Sequence, residues 1–308
     1  MLKGAIDSGA DSVYLGFNSS TNMRNFPGLN LTYNEVKEGI EYAHKKNKKV
    51  YVTINTLPTW KEWEISKNDI DKSYELGADA VIVSDISLLN YIKERYPDIR
   101  IHLSVQAGAS NYLDINFYKE RFDIKRVVLP RSLNIEDIKY TRDNTDVELE
   151  IFGIGLLCIN YEGRCMLSSY LTGKSVNTSG LCSPPEYLSI ESGMVKLGNR
   201  VLRKGMLLSY PTPCKGFYSA IDINDNIIQT PESLSIINIL PIIMDIGIDA
   251  IKIEGRQRSL KYVKMTTKYL KKAIDNYRKG KQTLNRYNKK IIPFLEGMRS
   301  TYSPYIEE

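Results

Sequence analysis

The chain has 308 residues, 42% of them hydrophobic and 25% charged, with a formal net charge of +6. That length can bury the core of one large α/β domain or two smaller ones, and the composition is ordinary for a soluble globular protein. No apolar run approaches the roughly 18–20 residues of a membrane span, and no apolar segment followed by a cleavage site opens the chain, so a cytoplasmic protein is expected.

Residue 1 falls inside a helical pattern that leads into the first strand signal, GADSVYLGF at 9–17. Similar phrases return as GADAVIVSD at 77–85 and GIDAIKIEG at 247–255. Each reads as a helix ending at Gly, a turn at Asp, and a strand buried on both faces. Further strands are expected at 49–55, 100–106, 126–131 and 147–153. Helices are expected at 32–47, 66–76, 87–96, 112–122 and 134–142, and an amphipathic one at 232–246. Between about 158 and 231 this alternation stops, and the sequence becomes loop-rich, with hairpin patterns at 186–205 and 217–229. The last basic stretch, 264–290, reads as a solvated helix face and tail, or as a contact for an anionic partner.

Steady β/α alternation with no nucleotide-binding glycine fingerprint predicts an α/β fold of the (β/α)8 TIM-barrel-like kind. Seven parallel strands are read, one short of closure. A first strand before Met1 is the expected missing piece, with an incomplete barrel as the alternative. The expected organisation is 1–157 as the first part of the barrel, 158–231 as an insertion, 232–280 as the final α/β unit and 281–308 as a basic C-terminal tail.

All four cysteines, Cys158, Cys165, Cys182 and Cys214, lie in the insertion, which begins where a barrel strand ends. Catalytic groups of such barrels sit at the C-terminal ends of strands. The spacing lacks the short C-x2-4-C knuckles of a structural zinc site, and disulfides do not suit a cytosolic protein. A [4Fe–4S] cluster, a zinc ion and unligated thiols all remain open on spacing alone, the cluster being favoured.

The run Glu150-x-Phe152-x-x-Gly155-x-Leu157-Cys158-x4-Gly163-x-Cys165-x-Leu167-Ser168 resembles the signature of the family historically called peptidase U32, departing from it at Leu156. The stretches 23–30, 101–111, 180–185, 210–216 and 252–259 are similar to its UbiU branch in particular. The resemblance covers about residues 4 to 280. It implies a [4Fe–4S] cluster on the four cysteines and an oxygen-independent hydroxylation of the aromatic ring of a ubiquinone precursor. A UbiV-like heterodimer partner and prephenate as oxygen donor are implied as well. Relatives that hydroxylate RNA bases make an RNA base hydroxylase the first alternative, although nucleic acid is not the expected partner. A zinc-stapled binding scaffold that is no enzyme is the second.

Strand-end arginines suit a carboxylate donor, and Arg24, Arg131, Arg256 and Arg258 are so placed; the alternative is that they pair with strand-end acids such as Glu254. Arg131, Glu254 and Arg256 are the candidate catalytic residues. Asn55, His102 and Gln106 are polar groups at strand positions expected near the barrel mouth, with His102 read as a satisfied core or lumen residue. His44 is expected to be solvated. With only two histidines and no nucleophile elbow, a peptidase has little support. TGKS at 172–175 lacks the first glycine of a P-loop.

Overall fold

A computed structural model describes residues 1–25, 30–158, 160–173, 175–179, 188–191, 194–197, 200–202, 214, 218–220, 223–225, 229, 232–256, 258–281, 284–295, 298–303 and 305–306. Strands β1 (Ser12–Leu15), β2 (Lys49–Ile54), β3 (Ala80–Val83), β4 (Ile101–Leu103), β5 (Arg126–Val128) and β6 (Glu148–Leu156) lie side by side in chain order. All five neighbouring pairs are parallel. Between them run α1 (Leu2–Asp7), α2 (Tyr33–His44), α3 (Trp63–Glu75), α4 (Ile86–Arg95), α5 (Tyr112–Phe122) and α6 (Ile135–Asp143). Every expected strand and helix up to residue 153 is present.

Strands β2 to β6 are buried on both faces for a readable reason, while β1 is mostly half-buried. Val50, Val52, Ile54, Val81, Val83 and Leu103 pack outward against Val36, Ile40, Ile70, Leu88, Leu89 and Ile92 of the helices. The other face, with Tyr14, Tyr51 and Ile82, turns inward to the lumen. Helix starts are fixed by side chains at the N-cap. Thr32 and Asn134 form capping boxes with Glu35 and Asp137, and Asp85 accepts from Ser87 N and Leu88 N at 2.9 and 3.0 Å. Asp85→Ala is expected to cost about 1 kcal/mol in urea unfolding, since two amide donors of α4 lose their acceptor.

After β6 the described pieces of the insertion are α7 (Leu167–Thr172), α8 (Val176–Ser179) and two small antiparallel sheets. One sheet joins β7 (Leu188–Glu191), β8 (Met194–Leu197) and β9 (Arg200–Leu202); the other joins β10 (Tyr218–Ala220) and β11 (Ile223–Asp225). The helix expected at 232–246 is only half right. Its first residues form β12 (Ser233–Ser235), antiparallel to the end of β6, and a helical turn at Ile237–Ile239 leads into α9 (Leu240–Ile246). Pro241 explains the late start, because proline is tolerated in a first helical turn and not in a helix interior. Then come β13 (Ala250–Ile253), parallel to β6, and α10 (Leu260–Arg278). The segment 281–308 folds back onto the sheet through α11 (Leu284–Ile291) and β14 (Ser300–Thr301), which is parallel to β12. Tyr305, 1% exposed, donates to the Phe152 carbonyl at 2.9 Å.

Seven parallel strands, β1–β6 and β13, thus form a TIM-barrel-like ring with one open seam. Among the described residues β1 pairs only with β2, and β13 only with β6. A cleft of about 980 Å³ separates the two edges, lined by residues 12–16 on one side and 250–253 on the other. The seam is bridged by side chains rather than by a backbone ladder: Tyr14 donates to the Ile253 carbonyl at 3.4 Å, and Lys271 reaches Asp11 at 3.2 Å.

Candidate functional site

The C-terminal ends of the strands converge on a cavity of about 110 Å³ at the barrel mouth. β2 brings Thr53 and Asn55 to it, the turn after β4 brings Ser104 and Gln106, and the end of β5 brings Arg131. Cys158 follows from β6, and Glu254 and Arg256 from β13. Two glycines of the sequence signature make this convergence possible. A Cβ on Gly155 would stand 2.5 Å from Glu254 Oε2, and one on Gly163 would stand 2.0 Å from the Gln106 carbonyl oxygen. Gly163 also has φ +85, the left-handed region that glycine adopts without strain.

A buried ion cluster forms the floor. Arg131 is 2% exposed, Glu162 4% and Glu254 6%. The Arg131 guanidinium pairs with Glu162 and, at 2.7 Å, with Glu254, and lies 3.4 Å over the Phe152 ring. Arg24 pairs with the other Glu254 oxygen at 2.9 Å, and Leu156 N donates to Glu254 at 2.9 Å. Burial alone would raise the Glu254 carboxyl; Arg131 and Arg24 outweigh it and hold the group down to about 2. Glu162 is pushed up by burial, which Arg131 offsets only in part. Arg131 is held above its ordinary range, because Glu254 and Glu162 outweigh the burial that would lower it. The pairing of strand-end arginines with acids therefore holds for Arg24 and Arg131. Arg256 donates to Asn22 Oδ1 and the Arg24 carbonyl, and Arg258 lies 5.1 Å from the Tyr262 ring.

Cys158, Cys165 and Cys214 all line this cavity, although they stand far apart in sequence. Cys182 lies outside the described residues. Among the described residues no three His, Cys, Asp or Glu side chains are gathered closely enough to hold an ion. Thiols are the donor type that an iron–sulfur cluster uses, and three of the four cysteines line this one cavity.

The other polar candidates separate. Asn55 is held between Met23 N at 3.0 Å and Ser104 Oγ at 3.1 Å. Gln106 lines the cavity. His102 lies deeper, fully buried in the lumen, against the Tyr51 ring at 4.6 Å and accepting from Arg100 Nε at 3.2 Å. Burial, with Arg126, Arg100 and Lys252 close by, pushes it down to about 2, so it is a neutral imidazole. His44 is not simply solvated, since its Nε2 lies 2.9 Å from Asp79. Neither histidine bonds a serine or cysteine among the described residues. Glu162 and Thr53 belong to the site and carry no motif of their own. Only their positions, one between two cysteines and one inward on an expected strand, hinted at them.

The chain is 34% identical to an uncharacterized protease of Methanocaldococcus jannaschii, over 98% of this chain and 68% of that protein. It is 30% identical to tRNA hydroxylation protein P of Escherichia coli K12, over 96% of this chain and 69% of that one. It is also 30% identical to the 23S rRNA 5-hydroxycytidine C2501 synthase of the same organism, over 88% of this chain and 37% of that one. The chain thus spans at most about two thirds of the length of these relatives. The profile of peptidase family U32 matches residues 1–303, nearly every residue that builds the barrel and its mouth, and the chain belongs to that family.

Proposed function

We propose that the chain is a hydroxylase acting on a base of RNA, with the reaction at the barrel mouth. The carrying observation is the mouth cavity itself, which is lined both by three cysteines and by a buried ion cluster. The tRNA and rRNA hydroxylation proteins among its relatives support the same reading. So do two aromatic–cation pairs in the loops that follow β2 and β6. Trp60, 83% exposed, has Lys61 Nζ 5.5 Å from its ring, and Tyr161 has Arg164 5.4 Å from its own. An aromatic face beside a cation suits an unstacked base and its phosphate. The cavity is lined by four cationic side chains, Arg24, Arg131, Lys252 and Arg256, against two carboxylates, Glu162 and Glu254.

Cys158, Cys165, Cys182 and Cys214 would hold a [4Fe–4S] cluster. Such a cluster supplies electron transfer, or an iron that gives up a ligand. Turning ring C–H into C–OH adds one oxygen atom and withdraws two electrons from the ring, so the oxygen donor must accept two. Prephenate is the donor implied by the family resemblance, and its carboxylates suit an arginine-rich mouth. Glu254 keeps the guanidinium planes of Arg24 and Arg131 fixed, and Phe152 sets the height of Arg131.

A second reading keeps the cluster and replaces the substrate by the ring of a ubiquinone precursor, with a UbiV-like heterodimer partner. The UbiU-like stretches 101–111 and 252–259, which build the mouth, favour it. One experiment separates the two. The chain is expressed without oxygen, total RNA is digested to nucleosides, and quinone precursors are extracted from the same cells, all read by mass spectrometry. A hydroxylated nucleoside made by the wild type and absent with Cys158→Ser is the expected result. A hydroxylated quinone precursor with unchanged RNA moves the function to the second reading. Neither product sinks both.

A further inference from the structure

Among the described residues, three polar atoms in residues lining the mouth cavity are buried with neither a hydrogen bond nor an ion pair: Thr53 Oγ1, Gln106 Oε1 and Arg131 Nε. Thr53 is 6% exposed and Arg131 2%, so bulk water does not reach them. Buried polar groups are nearly always paired, and one left unpaired is destabilising. Three such atoms on one small cavity point to a ligand that completes them. Thr53 faces the lumen because it alternates with the outward Val52 and Ile54 on β2. Gln106 is presented by the short helical turn Val105–Ala107, whose start is capped by Ser104.

Their chemistry is complementary to a particular edge. Arg131 Nε donates, Gln106 Oε1 accepts, and the Thr53 hydroxyl does either. Ile82, Val105, Val128 and Phe152 supply apolar wall around them. A cavity of roughly 150 Å³ holds a benzene ring. The 110 Å³ here, open at the mouth, takes the leading edge of one six-membered ring. We propose that Thr53 and Gln106 are positioning residues that hold the substrate ring by its polar edge. Gln106 accepts from a ring N–H, and Thr53 and Arg131 serve the adjoining ring carbonyls. A heterocycle with N–H beside C=O satisfies all three atoms, whereas a phenolic ring carries no ring N–H for Gln106. The inference rests on the RNA-base reading and names which residues of that site orient the base.

The test is binding of free uridine to the purified full chain, followed by saturation-transfer NMR, with 4-hydroxybenzoate as the comparison ligand. Thr53→Val and Gln106→Leu are each expected to weaken uridine binding about tenfold, the worth of one hydrogen bond. Thr53→Ser and Gln106→Glu keep the required oxygen and are expected to restore binding. Thr53→Val should melt no lower than the wild type, because the hydroxyl it removes has no partner among the described residues. If the wild type binds uridine and both apolar variants bind it equally well, this inference fails while the RNA reading stands. A lower melting point for Thr53→Val overturns the role of Thr53 by showing a structural one. If the wild type binds only 4-hydroxybenzoate, or neither ligand, the RNA reading fails and the inference with it.

Discussion

Arg131→Ala is expected to destabilise the protein by roughly 3–5 kcal/mol, the usual cost of removing one partner from a buried ion pair. The loss should be that large because Arg131 serves two carboxylates and a ring at once: Glu162, Glu254 at 2.7 Å, and Phe152 beneath it. Without it two buried acids remain, with Arg24 to balance only one of them. Its pH dependence follows from the shifts. Glu254 is held down to about 2 in the folded chain. Its contribution is therefore fully present above its unfolded value of about 4.3 and is lost as pH falls through about 2. Glu162 is shifted upward, so its ionisation opposes folding as pH rises through its folded value. In Arg131→Ala both acids are relieved by taking up protons, and the variant should lose less stability at pH 4 than at pH 7. Urea unfolding at the two pH values measures this. An equal loss at both would mean that Arg131 acts through packing alone.

Cys158→Ser is expected to remove the proposed [4Fe–4S] cluster. Protein purified without oxygen should carry about four iron and four acid-labile sulfide per wild-type chain. In the variant both should fall to background while the helical circular dichroism signal stays, because the barrel core does not depend on that thiol. Cys214→Ser should behave alike, since its thiol lies on the same cavity although 56 residues separate it from Cys158. Zinc without sulfide in the wild type would remove the iron–sulfur proposal and restore the scaffold reading.

Most of the barrel was legible in the sequence because its parallel strands are written as short runs of β-branched and apolar residues, three of them, β1, β3 and β13, after a Gly-x-Asp turn. The phrase AVIV of β3 could hardly be anything else. β12 was not legible: Ser-Leu-Ser has no run to recognise, and its pairing partner, the end of β6, is some 80 residues away. The same limit applied to β14, two residues long and held by β12. In the site, the cysteines declared themselves by type, and Arg131, Glu254 and Arg256 by standing just after a strand. Glu162 did not, because nothing local says that a glutamate in a loop will be buried under an arginine 31 residues earlier. Thr53 was hidden for a different reason. A threonine inside a β-branched strand looks like propensity alone, and the alternation that turns it inward does not say that a cavity lies there.

The open seam has a consequence for how the chain behaves at high concentration. Two strand edges that face each other across one cleft, β1 and β13, offer donors and acceptors from both walls to any extended segment that enters parallel to them. Natural sheets protect such edges, since an uncovered one is a template for pairing with another chain. Among the described residues, a tyrosine hydroxyl and lysine and arginine side chains span the gap. Among the described residues, the backbone groups open to pairing with an added strand therefore lie neither at the mouth nor on the helices but in the slot between β1 and β13.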